Sequence, residues 1–270
     1  MKRIFLSLLF AAGLTTVWAT EIALSGKFTI NDKGDQVQFA PGNLQYVPST
    51  DTWQFAASQT ETVGKDVAVA NEIANYAGAI DLFPWGDNYG NHIGEGWRML
   101  TSEEWAYLLR EEEIGYGPEN AGQATIVDSI ATRHGLVILP DDWTTPTGLQ
   151  DFEVSPNDWT TNRYNDSIWN LMETAGAVFL PCVGETGSYW SATAKDENIA
   201  YGIYFYESAI QAGSSAARSS SYAVRLVKDV KETPTDIPTT NDQRPTANKI
   251  LRNGQIVIIR DNKTYTMIGQ

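Results

Sequence analysis

The residues that could do chemistry in this chain are few: two histidines, one cysteine and a scatter of carboxylates. Cys182 stands in Val-Phe-Leu-Pro-Cys-Val-Gly-Glu, behind an apolar run. A cysteine nucleophile needs an imidazole base beside it, and only His92 and His134 could supply one, so Cys182 reads as a small buried hydrophobe. Asp141 and Asp142 lie side by side in Leu-Pro-Asp-Asp-Trp. Adjacent carboxylates could hold calcium, but at a strand end they read more simply as a solvated turn. The segment Gly-Glu-Thr-Gly-Ser at 184–188 is not a nucleophile elbow, no glycine-rich phosphate loop precedes a helix, and no spacing of His, Cys and carboxylate fits zinc. The expectation is therefore a protein that is not an enzyme and has no cofactor and no metal site. A pair of carboxylates brought together from distant parts of the chain leaves no mark in sequence. An enzyme acting on polysaccharide accordingly stays open as the alternative.

What the chain has in quantity is large aromatics: Trp53, Trp85, Trp97, Trp105, Trp143, Trp159, Trp169 and Trp190. On the surface they would be stacking platforms for sugar rings. In a domain without disulfides they are first of all core, because large aromatics carry most of the burial. In Ala-Tyr-Gly-Ile-Tyr-Phe-Tyr, a period of two turns Tyr201, Ile203 and Phe205 to one face and Gly202, Tyr204 and Tyr206 to the other. The final apolar run divides in the same way, with Tyr222, Val224 and Leu226 opposed to Ala223, Arg225 and Val227. Between the two runs lies a bland, serine-rich stretch at 211–221 that contains Arg218 and Ser220. It is either an ordinary strand connection or a tolerant loop on a binding face, and Tyr and Ser are the residues that adaptable binding faces use.

The elements that must position these residues are short. Thr101 is an N-cap and Glu104 completes a capping box, so Leu-Thr-Ser-Glu-Glu-Trp-Ala-Tyr-Leu-Leu starts a helix. Trp105, Leu108 and Leu109 share its apolar face, and Glu103, Glu104 and Glu111 turn to solvent. A second helix is predicted in Asp-Ser-Ile-Trp-Asn-Leu-Met-Glu-Thr-Ala-Gly, with Ile168, Leu171 and Met172 inward and Gly176 at its end. Elsewhere short β runs dominate, as in Val-Gln-Phe-Ala, Gln-Ala-Thr-Ile-Val, Gly-Leu-Val-Ile-Leu-Pro and Ala-Val-Phe-Leu-Pro. Two helices among many strands, without βαβ alternation, predict an α+β fold with a mostly antiparallel twisted sheet.

The N-terminus carries Lys2-Arg3, an uncharged run and Val17-Trp18-Ala19, the layout of a secretory signal peptide cleaved after Ala19. Its run is too short for a membrane span, and no later segment supplies a transmembrane helix. Removing 1–19 leaves 17 Lys and Arg against 33 Asp and Glu, a net charge of about −16. Such a surface repels phosphate backbones, which argues against nucleic acid as a partner. A single cysteine in an exported chain means no internal disulfide. Residues 20–227 read as one domain and 228–248, rich in Thr and Pro, as a linker. Residues 249–270 read as a β tail punctuated by Asn253-Gly254 and Asp261-Asn262.

Taken together, Gly-Asn-Leu-Gln-Tyr, Ile-Asp-Leu-Phe-Pro-Trp-Gly, Gly-Glu-Gly-Trp-Arg-Met-Leu-Thr-Ser-Glu-Glu-Trp, Gly-Leu-Val-Ile-Leu-Pro-Asp-Asp-Trp, Gly-Ser-Tyr-Trp-Ser-Ala-Thr-Ala and Tyr-Ala-Val-Arg-Leu-Val, in this order, resemble the Fibrobacter succinogenes major paralogous domain of secreted Bacteroidetes proteins. The resemblance covers roughly residues 38–228 and implies a C-type-lectin-like fold. In its formylglycine-generating branch catalysis uses a pair of cysteines, and this chain has one. The calcium motifs of true lectins are also missing: Gly-Pro-Glu-Asn-Ala-Gly at 117–122 has the residues in the wrong order and place. The resemblance further implies an exposed ligand-facing surface in the region of Tyr204, Tyr206, Arg218 and Ser220. It points to a non-catalytic module, extracellular or at the cell surface, whose partner is a glycan or a protein, with a structural surface protein as a further alternative. The tail is similar to type IX secretion sorting signals, which implies contact with outer-membrane secretion machinery.

Overall fold

In the computed structural model the described residues are 22–73, 76–86, 88–109, 120–127, 131–154 and 158–231, with the backbone of 248–252, 255–260 and 263–266. The leader at 1–19, the Glu111 end of the first helix and most of the linker lie outside them. The chain divides into two compact units, one ending at Val230 and the other beginning at Lys231.

In chain order the first unit contains β1 (Phe28–Thr29), β2 (Gln36–Phe39), β3 (Leu44–Val47), β4 (Thr52–Phe55), α1 (Val67–Glu72), β5 (Trp97–Arg98), α2 (Ser102–Leu108), β6 (Ala121–Val127), β7 (Thr132–Ile138), β8 (Arg163–Asn165), α3 (Asp166–Thr174), β9 (Val178–Pro181), β10 (Thr186–Ala194), β11 (Ile199–Tyr206), β12 (Ala209–Ala217) and β13 (Val227–Asp229). Their sheets run β1-β2-β13-β5, β3-β4, β8-β6-β7-β9 and β10-β11-β12. Among these strands only β6 and β8 pair in parallel. The unit is thus α+β and mostly antiparallel. The second unit is an antiparallel meander of β14 (Asn248–Arg252), β15 (Gln255–Arg260) and β16 (Lys263–Thr266); the turns expected at Asn253-Gly254 and Asp261-Asn262 lie outside the described residues.

The start and the end of the first unit close on one another. Phe39 of β2 pairs with Val227 of β13, and the amides of Ala40 and Leu44 donate to the carbonyls of Leu226 and Val224, both at 2.9 Å. Strand pairing continues to Lys228 and Asp229, two residues into the stretch read as linker. Because 222–227 runs extended between two apolar clusters, both of its faces are buried. Val224 and Leu226 join Trp97, Trp190 and Phe83 on one side, and Ala223 and Val227 join Trp105, Tyr189 and Phe205 on the other.

Helix α2 has the expected capping box: Thr101 Oγ1 accepts from the Glu104 amide at 3.1 Å, and Glu104 Oε2 accepts from the Thr101 amide at 2.8 Å. Trp105, Leu108 and Leu109 are buried as expected. Glu104 differs from its expected place in solvent. Its carboxylate takes both Arg98 terminal nitrogens, at 2.7 and 2.9 Å, and Arg98 Nη2 also reaches Asp229 at 2.7 Å. A bidentate guanidinium draws the side chain back over the helix start. In α3 the buried pair is Trp169 and Met172, while Leu171 is exposed. The larger indole takes the inward position and rotates Leu171 outward. Gly176, at φ 98°, ends the helix as expected, in a left-handed conformation that favours glycine. Helix α1 was not expected. Asp66 caps it by accepting from the Ala68 amide at 2.9 Å, and its six residues are too few for an apolar period to show.

None of the eight tryptophans among the described residues is exposed, and Trp97, Trp105 and Trp190 are buried. Cys182 is buried among apolar side chains, which pushes its thiol pKa up to about 12. Asp141 and Asp142 stand exposed in a turn, as expected, and Asp141 also ties that turn to the first strands: it accepts from the Thr29 amide, Thr29 Oγ1 at 2.7 Å and Gln36 Nε2 at 2.6 Å. Arg225, expected on one face of a strand, is fully enclosed. Its donors reach Asn43 Oδ1 at 3.1 Å and the carbonyls of Ala40 and Phe179 at 3.1 and 2.8 Å. Burial draws its pKa down to about 10, so it keeps its charge at neutral pH.

Candidate ligand-binding cleft

The serine-rich stretch is not a loop. Its first part belongs to β12, which pairs along its length with β11, from Tyr206 opposite Ala209 to Ile199 opposite Ala217. Gly, Ser and Ala have little strand preference of their own, so only the pairing reveals the strand. Ala212 and Gly213 together oppose Ile203, since Gly202 pairs with Ser214 and Tyr204 with Gln211. The even-numbered residues of β12 stay inward throughout, so Ile210 and Ala212 pack on the cluster that contains Trp105 and Phe205, and Ala216 packs on the cluster that contains Trp190. Across the bulge it is β11 that changes face, with Ala200 and Gly202 buried before Ile203 and Phe205, so Tyr201, expected inward with Ile203 and Phe205, is only half-buried.

The hairpin separates the four residues proposed from sequence. Tyr204 and Tyr206 lie at its turn end, their rings 5.7 Å apart at 47°. Arg218 and Ser220 follow Ala217 at the other end, about 16 Å or more away at roughly 3.3 Å per strand residue. There Arg218 lies over the Trp85 ring, 4.3 Å from its centroid, and donates to the Asp196 carbonyl. Trp85 also lines a second cleft of about 380 Å³, with Gly86, Asn88, Arg98, Met99, Thr101 and Ala192. The amide of Ser220 closes the turn onto Ala217 at 2.8 Å. The structure thus brings the two tyrosines together and places the arginine and serine elsewhere.

At the tyrosine end the inward and outward faces are as expected. Ile203 and Phe205 are fully buried, and Tyr204 and Tyr206 are half-buried. Strand β10 fixes this end from the other side, with Thr186 opposite Tyr206 and Ser188 opposite Tyr204. Gly187 is required there, because a Cβ would come within 2.0 Å of the Phe205 ring that lies over it. A tight turn, with Val183 bridged to Thr186 and Gly184 at φ 69°, holds Glu185 at the rim. The two-residue hairpin turn after Tyr206 places Glu207 there as well.

Trp159 completes the cleft from the bend that precedes β8. Asp158 accepts from the amides and hydroxyls of both Thr160 and Thr161, at 2.6–2.8 Å, and these bonds hold its carboxyl down at about pH 2. Thr125 Oγ1 donates to the Trp159 carbonyl at 2.6 Å and so accepts from His134 Nδ1 at 2.9 Å, which places a proton on Nδ1. The His134 ring lies 4.9 Å from Trp159. Behind Tyr206, the buried Gln123 donates to its carbonyl at 3.1 Å, and Gln123 Oε1 has no partner among the described residues.

The result is an open cleft of about 240 Å³ lined by Trp159, Glu185, Thr186, Tyr204, Tyr206 and Glu207. Sequence reasoning found the tyrosines by alternation. It missed Glu185, Thr186 and Trp159, which reach the cleft only through the pairing of β10 with β11 and the approach of a separate turn. Glu207 was legible as the residue after Tyr206 had the hairpin turn been recognised. Among the described residues no three His, Cys, Asp or Glu side chains gather as a metal ion requires. None of their helices is long and apolar enough to cross a membrane. Scanned against models of known families, curated proteins and solved structures, the chain matches none.

Proposed function

We propose that this chain is a non-catalytic binding module of C-type-lectin-like fold, secreted or displayed at the cell surface, whose ligand seats in the Tyr204–Tyr206 cleft. The convergence of Trp159, Tyr204 and Tyr206 on one open cleft carries this reading. Rigid aromatic area beside adaptable polar groups is the composition that recognition surfaces use. The fold assignment draws support from the capped helix after Gly-Glu-Gly-Trp-Arg, the buried Trp97, Trp105 and Trp190, and the pairing of the first strands with the last. Export through the leader at 1–19 and passage to the surface through the tail belong to the same proposal. Deleting residues 249–270 should trap the protein in the periplasm, and unchanged surface exposure would make the tail a β appendage only.

The test is a glycan and protein array probed with the wild type and with Tyr204→Ala/Tyr206→Ala. Truncating both rings at a binding hot spot should cost more than about 1–2 kcal/mol of affinity. Removing two half-buried rings should cost folding stability about 1–2 kcal/mol, leaving a cooperative melt. If the variant binds every array ligand as the wild type does, the cleft is not the site.

One observation favours a second reading, an enzyme acting on polysaccharide: Glu185 and Glu207 are two carboxylates in one aromatic-lined cleft. A glycosidic general acid is normally desolvated, whereas both of these stand exposed on turns. Release of reducing sugar from polysaccharides, abolished by Glu185→Gln or Glu207→Gln, would establish that reading instead.

A further inference from the structure

The lining of the cleft is chemically one-sided. Three aromatic residues and two glutamates line it, with hydroxyls from Thr186, Tyr204 and Tyr206 and no lysine, arginine or amide side chain. Among the described residues neither Glu185 nor Glu207 makes an ion pair. Aromatic faces carry negative quadrupole density, so rings beside carboxylates add to one negative field instead of offsetting it. A chain with 33 Asp and Glu against 19 Lys and Arg reinforces that field. An anion is repelled there. A neutral sugar could donate hydroxyls to the two carboxylates, but it would bring no positive charge to offset theirs.

Size points the same way. At about 240 Å³ the open cleft is smaller than usual small-molecule pockets and has room for one projecting side chain. Resting on the binding-module reading above, we infer that the cleft receives an organic cation, the ammonium or guanidinium of a lysine or arginine side chain presented by a protein partner. The aliphatic stem lies against Tyr204, Tyr206 and Trp159, and the charged head meets Glu185 and Glu207.

The probes are Gly/Ser peptides carrying one lysine or one arginine, the same peptide with Nε-acetyl-lysine, and neutral oligosaccharides, each titrated into the full mature chain. Binding is read from the NMR shift of the Trp159 indole N–H. The lysine or arginine peptide should shift that signal saturably, more weakly at higher salt, and the acetylated peptide should not. Glu185→Gln/Glu207→Gln, confined to exposed turns, should weaken binding by about tenfold without changing the melt. Tyr204→Ala/Tyr206→Ala keeps every charge and should also lose binding, which separates a built site from general attraction to an acidic surface. Equal binding of the acetylated peptide, or unchanged binding by the double glutamine variant, overturns the inference. Silence from the peptides with a Tyr204-dependent oligosaccharide shift overturns it alone and leaves the binding module standing. Silence from peptides and oligosaccharides, with no Tyr204-dependent ligand on the array, overturns both.

Discussion

The guanidinium of Arg218 lies 4.3 Å over the ring of Trp85, and the two residues are also joined through the backbone, where the Trp85 amide donates to the Arg218 carbonyl at 2.7 Å. Trp85 Nε1 in turn donates to the Ser191 carbonyl at 2.7 Å, so the stack fastens the segment after Phe83 to the far end of the β10–β12 sheet. Arg218 is thereby a clamp. A double-mutant cycle with Trp85→Ala and Arg218→Ala should show a coupling of about 0.5–1 kcal/mol. Arg218→Ala should leave binding at the Tyr204–Tyr206 cleft unchanged, measured with whichever array ligand depends on Tyr204.

Trp190 is 1% exposed, stacks on Tyr222 at 4.3 Å and donates its indole N–H to the Phe83 carbonyl at 2.7 Å. Trp190→Ala removes the largest side chain between β10 and the 222–227 segment and orphans a buried carbonyl. Chemical denaturation should show a loss of about 3–5 kcal/mol.

Arg225 is a buried charge held by neutral acceptors, Asn43 Oδ1 and the carbonyls of Ala40 and Phe179. Arg225→Met relieves the desolvation of the charge but leaves three acceptors without their donor. The second effect should win, at about 2–4 kcal/mol of stability in urea unfolding. A variant as stable as the wild type would show that these carbonyls find other donors.

Asp158 gives an acid signature. Its folded pKa, about 2, lies below the unfolded 3.8, so the stabilisation is present above the unfolded value and is lost as pH falls towards 2. Asp158→Asn should lower the melting temperature at pH 5–7, and the gap from wild type should narrow between pH 4 and 2. Because this turn carries Trp159, ligand affinity at the cleft should fall over the same window.

Local order was legible in the chain itself. The capping box of Thr101 and Glu104, the glycine that ends α3 at 176, the inward pair Ile203 and Phe205, and the β character of the tail all follow from residues within a few positions of one another. Period and capping are short-range physics, so sequence alone carries them.

What only the tertiary structure decided depends on partners far away in the chain. β12 exists because β11 supplies its hydrogen bonds, not because Gly, Ser and Ala favour a strand. Arg225 is buried because residues 222–227 pass between two clusters built from both halves of the domain. Glu104 turns from water to Arg98, and through it to Asp229, across a sheet. The cleft itself joins Trp159, on the bend before β8, to Tyr204 and Tyr206 on β11, and the hairpin register, not the spacing along the sequence, separates those tyrosines from Arg218. Register and sheet contact are non-local, and a linear pattern of residue types does not encode which strand end lies beside which turn.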